Sequence, residues 1–289
     1  MKALLAAAWE HVFFRPAGPL GLHAARVILS AHALWLLLSR PDLPELAGWP
    51  DAFWNVAPPL LRVRFGMVLP VGFERGLFLL AHLALAACLL GLRPRVTGLV
   101  SAVLLYHFAP FEEAIVGLPH TSFGGLTVAV LGLAILAFAD PPAADAAPSP
   151  EHRWPLALVQ LLVVCGYFFP MLAKLRYSGP GWFTGENIAN YALGNWGITG
   201  APWALGVAGQ EWVARAVAAG TLLIEGLSPL TLWWPSFATA FVGAAMAFHA
   251  GIVLAVGYFS PGSPLVLLLL DWDGIDRRLR ARRAPPAGA

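Results

Sequence analysis

The sequence WPLALVQLLVVCGYFFPMLAKL occupies residues 154–175 and is apolar along nearly its whole length until Lys174. About 20 mainly apolar residues suffice for a helix that crosses a bilayer. Seven further apolar runs lie at 22–39, 75–92, 96–115, 121–139, 213–233, 236–257 and 262–271. Because the last has only about ten strongly apolar residues, it is either re-entrant or extends back through Tyr258 and Phe259.

The composition agrees with a membrane protein. The chain is 58% hydrophobic and 12% charged, whereas soluble domains carry about 25% charged residues. We therefore predict an all-α fold, a polytopic transmembrane helical bundle of about eight spans. It comprises one transmembrane domain at 1–275 and a basic cytoplasmic tail at 276–289. The net charge of +2 gives no basis for nucleic-acid binding.

Three segments are predicted to lie outside the spans. Residues 1–16 are typical of an amphipathic helix at the membrane interface. Residues 40–74 are rich in proline and contain tryptophan and arginine, which favours a segment lying on the membrane surface. Residues 140–153 form a polar, proline-rich linker.

The basic residues predict the orientation. With eight spans, ten of the lysines and arginines lie on one side of the membrane and five lie on the other side. The larger set is Lys2, Arg15, Arg93, Arg95, Arg153, Arg277, Arg278, Arg280, Arg282 and Arg283; the smaller is Arg40, Arg62, Arg64, Arg75 and Arg176. Because positive charge concentrates in the cytoplasm, both termini are predicted to be cytoplasmic. Lys174 and the 175–212 segment are then extracytoplasmic.

Lys174 is the leading candidate for chemistry. A lysine at the edge of hydrocarbon is costly unless something holds it. Desolvation disfavours the ammonium form, so such a lysine can act as a base or nucleophile. The alternative is a lysine that marks the end of a membrane helix and extends its ammonium to water.

Ionisable side chains within predicted spans indicate further functional positions. Arg26 lies in the first span, Glu225 in the sixth and His249 in the seventh. Opposite charges in one bundle suggest that Arg26 and Glu225 pair, directly or through a third residue. Such groups either fix helix packing or line a polar cavity. The two cysteines are isolated, and no histidine spacing fits a metal-ligand motif, so no metal site is predicted.

The segment after Lys174 combines glycine with aromatic residues. Residues 179–187 predict a turn followed by a short helix, capped at Thr184 or Asn187. Trp182 beside Lys174 favours a floor for a planar apolar ligand. An interfacial aromatic belt needs no ligand and is the alternative.

Short motifs in consistent order resemble the membrane domain of vitamin K-dependent γ-glutamyl carboxylase and its bacterial relatives, the HTTM proteins. The match covers most of residues 10–272. It is carried by Tyr167-Phe168-Phe169, Ala173-Lys174-Leu175, Trp182, Gly185, Asn190-Tyr191, Trp196, Pro119-His120-Thr121-Ser122, the stretch from Ile224 through Glu225 to Leu230, Phe248-His249, Gly257-Tyr258-Phe259 and Arg26.

This resemblance implies a lyase in the bacterial cytoplasmic membrane. Reduced vitamin K or menaquinol would be the cofactor, with oxygen and carbon dioxide as co-substrates. Lys174 would be the base toward the quinol, with His120 as its catalytic neighbour. The ligand-binding residues would be Tyr167, Met171, Trp182, Glu225, His249 and Arg26.

The sequence also departs from that family. The carboxylases have Lys-Lys-Leu where this chain has Ala173-Lys174-Leu175. Their large extracytoplasmic domain binds the propeptide, and it has no counterpart among these residues. A partner protein is therefore expected to replace it, and membrane lipid is the other expected partner.

Two other functional classes stay open. A DoxX-like, quinone-linked membrane redox subunit has a comparable apolar–Lys-Leu ending. A non-enzymatic small-solute carrier or scaffold is the third class, and an inverted repeat with broken helices would favour it.

Overall fold

The computed structural model describes residues 2–49, 69–116, 124–256, 260 and 262–283. Within these ranges the regular elements are all helices, which confirms the predicted all-α fold; a single isolated β-bridge joins Ala17 and Ser149. The α-helices are α1 Lys2–Phe13, α2 Leu20–Leu38, α3 Val71–Leu89, α4 Pro94–Val116, α5 Gly124–Phe138, α6 Pro150–Tyr177, α7 Glu186–Thr199, α8 Pro202–Gly209, α9 Glu211–Leu227, α10 Leu230–Trp233, α11 Pro235–Val256 and α12 Trp272–Arg283. Short 3₁₀ helices cover Leu43–Gly48, Gly179–Thr184 and Ser263–Leu269.

Five helical segments of the described chain are long and apolar enough to cross a membrane. They are Leu20–Leu38, Val71–Leu89, Pro150–Tyr177, Glu211–Trp233 and Pro235–Ala255. A shorter apolar helix covers Leu126–Phe138. The chain is thus a helical membrane protein.

Two predicted boundaries differ from the structure. The apolar run at 262–271 contains the seven-residue 3₁₀ helix Ser263–Leu269. At about 2 Å per residue this helix by itself covers about 14 Å, so an eighth crossing of a hydrocarbon core of about 30 Å needs further residues beside it. At the other boundary, α6 begins at Pro150, so the predicted linker is helical from there on.

The helices fall into two compact units, residues 1–159 with 272–289 and residues 160–271. The first contains α1–α5, the start of α6, and α12. Its core is built from large apolar side chains that are almost completely buried, among them Leu29, Leu85, Leu105, Phe108 and Leu133.

The start of α6 is tied to the segment after α1 within the first unit. Ala17 and Ser149 exchange two backbone hydrogen bonds of 3.1 and 2.9 Å. The guanidinium Nε of Arg153 donates to the Val12 carbonyl at 2.7 Å, and His152 Nδ1 lies 3.0 Å from the Ala17 carbonyl. These bonds explain why the polar residues before the apolar run join the helix instead of a loose linker.

The second unit contains the rest of α6, then α7–α11 and the 3₁₀ helix at 263–269. In its core between α7 and α9, Ile188 packs against the small side chains of Ala214 and Ala218. Gln160 donates a 2.9 Å hydrogen bond to the Leu268 carbonyl and so ties α6 to the 3₁₀ helix.

Candidate functional site

One face of α6 carries three side chains that the sequence predicted as functional. Tyr167, Met171 and Lys174 are four and three positions apart, so they line the same side of the helix. Pro170 lies among them without ending α6. The face meets α9 and α11, which also belong to the second unit.

Lys174 forms an ion pair with Glu225 of α9. The two side chains are 20% and 12% exposed, so both charges are largely removed from solvent. The lysine Nζ donates to Glu225 Oε1, whereas Oε2 is buried and has no hydrogen-bond partner among the described residues. The pair therefore retains a free acceptor oxygen beside the lysine.

Trp182 lies against the same lysine. The Lys174 Nζ atom is 5.2 Å from the centre of its indole ring, within the range of a cation–π interaction. The indole Nε1 donates to the Ala218 carbonyl of α9 at 3.1 Å. This bond fixes the plane of the ring, so the lysine is held between an acidic side chain and an aromatic face.

Gly185 is what allows the Trp182 segment to approach α9 so closely. Its φ angle is +76°, which favours glycine. A Cβ atom there would lie 2.5 Å from the Arg215 backbone nitrogen and 2.6 Å from the Ala214 carbonyl carbon. The predicted short helix is confirmed, with α7 beginning at Glu186, but the predicted cap at Thr184 or Asn187 is wrong: the N-cap is Gly185, which has no side chain to cap the helix.

Tyr167 and His249 form a second polar contact, about two helical turns from Lys174 along α6. The tyrosine hydroxyl and His249 Nε2 share a 2.7 Å hydrogen bond, and the two rings meet edge to face. Between the two polar contacts, Met171 lies beside Gly226. A Cβ atom added to this glycine would be at van der Waals distance from the methionine side chain. The two polar contacts are thus separated by a small apolar contact.

The cation paired with Glu225 is Lys174, whereas the sequence suggested Arg26. Arg26 lies in the first unit, on α2, with its guanidinium against Gly91. His120, predicted as the neighbour of Lys174, lies outside the described residues. The structure therefore brings together Tyr167, Met171, Lys174, Trp182, Glu225 and His249 in one unit.

The structure also contains a buried acid–histidine contact that the sequence did not reveal. Glu74 is completely buried in the first turn of α3, and its Oε2 lies 2.8 Å from His107 Nε2 of α4. Its other oxygen accepts a 3.0 Å bond from the Leu69 backbone N–H. The sequence pattern places Glu74 in the surface segment at 40–74 because the predicted apolar run begins at Arg75, whereas α3 begins four residues earlier, at Val71.

The site offers proton-transfer groups: an amine, a carboxylate, a phenol and an imidazole. Among the described residues no three His, Cys, Asp or Glu side chains group together to hold a metal ion. The arrangement suits a ligand that is mainly apolar and carries a hydroxyl group for the free Glu225 oxygen.

Comparison of the chain with protein-family models, curated proteins and solved structures gives no match. The fold and the site by themselves define a helical membrane protein with a lysine–glutamate pair against a tryptophan.

Proposed function

We propose that this chain is an HTTM-type membrane protein that binds a quinol beside Lys174. In this proposal it crosses the bacterial cytoplasmic membrane about eight times, with both termini in the cytoplasm. Its activity is quinol oxygenation and epoxidation coupled to carboxylation, with a partner protein supplying the acceptor. Reduced vitamin K or menaquinol serves as the quinol, and it supplies the reducing power for reaction with oxygen.

The observation that carries the proposal is the unpartnered Glu225 Oε2 next to the lysine. A buried carboxylate oxygen without a donor is costly. A phenolic O–H is a suitable donor for it, and the oxygen of the same hydroxyl can reach the lysine. The donor set therefore fits a quinol hydroxyl.

The lysine–glutamate pair is suited to accept the proton of that hydroxyl. When the ammonium proton passes to Glu225, Lys174 becomes a neutral amine. Once Glu225 is neutral, the phenolic O–H donates to the amine instead and passes its proton to it, so the products are a phenolate, the Lys174 ammonium and a neutral Glu225. The ammonium beside the new phenolate stabilises its charge, more strongly than it would in water.

The remaining side chains favour an aromatic ligand. The Trp182 ring offers a fixed aromatic surface beside the reacting group, and Met171 supplies an adaptable apolar contact. Tyr167 and His249 can hydrogen-bond to a second oxygen of the ligand, because both carry groups that donate and accept.

The test is epoxide formation from a reduced naphthoquinone and oxygen by the purified full chain in lipid. We expect product from the wild type and none from Lys174→Met. Arg176→Met is the matched control, since Arg176 lies at the same end of α6 but contacts the Tyr177 ring. This control should retain activity.

Loss of activity in both variants would point to general damage at the helix end and not to a base. An inactive wild type that also fails to bind the quinol would refute the proposal. The carrier or scaffold class would then become the better explanation.

A further inference from the structure

A pocket in the first unit lies apart from the Lys174 site. It is lined by the beginning of α2, the end of α3, the beginning of α4, and the end of α5 with the residues that follow it. His23 and Arg26 of α2 line it, together with Cys88, Asp140 and apolar side chains. Because His23 and Arg26 are three positions apart, they share one face of the helix.

Both polar residues bring an unmatched nitrogen to this pocket. Arg26 Nε and His23 Nε2 are buried, and neither has a hydrogen-bond partner among the described residues. Buried polar atoms are nearly always hydrogen-bonded, and two exceptions in one pocket need an explanation. A ligand that accepts hydrogen bonds would satisfy both.

The charge in the pocket is also unbalanced. Arginine stays protonated in proteins, yet within the described part of the chain no carboxylate forms an ion pair with Arg26. Asp140 lines the pocket, but its side chain is 87% exposed and pairs with Arg95. An anionic ligand would supply the missing negative charge.

The guanidinium position depends on Gly91. This glycine has a φ angle of +78°, and a Cβ atom there would lie 2.6 Å from Arg26 Nη1. A side chain at position 91 would therefore displace the arginine head from its observed place. Arg26 is thus accommodated by the backbone without being neutralised by it.

We propose that this pocket binds a phosphate group through Arg26 and His23. The planar guanidinium offers paired N–H donors that match phosphate oxygens, and the imidazole adds one more donor. The phosphate belongs either to the headgroup of an anionic phospholipid or to free phosphate. The site is independent of the proposed quinol chemistry.

The experiment uses the full chain purified in detergent and freed of lipid. Binding of inorganic phosphate is measured by equilibrium dialysis with a radiolabel. Retention of added phosphatidylglycerol, against phosphatidylcholine, is measured by native mass spectrometry. The variants are Arg26→Gln and the matched control Arg93→Gln, which removes an exposed arginine from the neighbouring turn.

We expect Arg26→Gln to weaken binding about tenfold or more, because it removes the charged donor. Arg93→Gln should bind like the wild type. Saturable binding of inorganic phosphate identifies a site for the free anion. Retention of phosphatidylglycerol alone identifies a lipid-headgroup site.

Equal binding by the wild type and Arg26→Gln, for both probes, would overturn the proposal, as would no binding by the wild type. If Arg26→Gln is not monodisperse and helical, Arg26→Lys and His23→Gln take its place. The same comparison then applies, since each removes part of the donor set.

Discussion

At the scale of single residues, the contributions of Lys174 and Glu225 to stability depend on each other. A charge that is largely removed from water is expensive when alone, and each member of this pair lowers the cost of the other. Lys174→Met leaves the Glu225 carboxylate without its counter-ion. The stability lost in Lys174→Met should therefore depend on whether Glu225 is still present.

This dependence can be measured in a double-mutant cycle of Lys174→Met and Glu225→Gln. We expect each single variant to be destabilised and the double variant to lose less than the sum of both. The coupling should be on the order of 1 kcal/mol or more. Denaturant unfolding in mixed micelles provides the free energies, and strictly additive effects would show that the two residues act separately.

Gly185 is the second residue with an outsized role. Gly185→Ala places a Cβ against the α9 backbone at a positive φ angle. We expect a loss of about 1–3 kcal/mol in the free energy of unfolding. Gly181→Ala in the preceding 3₁₀ helix, Gly179–Thr184, is the control, since open space surrounds its Cβ position. Equal effects on the melting temperature would contradict the close approach.

At the scale of elements, α3 and α4 are joined by Glu74 and His107. His107→Phe removes the hydrogen-bonding partner of one oxygen of a completely buried carboxyl group. We expect a destabilisation of about 1–3 kcal/mol. His82→Phe in α3 is the comparison, because the His82 Nδ1 contact at 2.8 Å is to the Phe78 carbonyl of its own helix. Thermal unfolding that ranks His82→Phe as the more damaging would refute this assignment.

The helices themselves were largely predictable, because long apolar runs report directly on burial in lipid or in a core. The run at 154–174 corresponds to α6, and the turn before α7 follows from its glycines. Helix ends were less predictable: His152 and Arg153 join α6 through bonds to residues about 140 positions earlier along the chain. Local sequence carries no information about such distant partners.

Six members of the candidate site were predictable, but their pairing was not, and the predicted member Arg26 lies in the first unit. Lys174 and Glu225 were recognisable because each is ionisable within an apolar segment. Their contact depends on which helices are neighbours, and they are 51 positions apart. The same limit explains the suggestion of Arg26 as the partner of Glu225: composition identifies opposite charges, and only the fold brings them together.

At the scale of the whole molecule, the distribution of basic residues predicts a topology that can be tested. In a Cys88→Ala, Cys165→Ala background, Ser178→Cys is expected to react with a membrane-impermeant maleimide added to intact cells. Arg282→Cys should react only after the cells are permeabilised, because the termini are predicted to be cytoplasmic. The predicted topology has an odd number of membrane crossings between these two cysteines. Reaction of both from the same side would contradict it.

The position of Trp182 has an optical consequence. The energy of indole fluorescence depends on the electric field across the ring, and the ammonium of Lys174 is a fixed source of that field at 5.2 Å. Any event that neutralises or displaces the lysine should therefore shift the emission wavelength of this one tryptophan. The chain has twelve tryptophans, and the difference between its emission spectrum and that of Trp182→Phe isolates the signal of Trp182. Trp182 is therefore an intrinsic fluorescent probe for ligand binding beside Lys174.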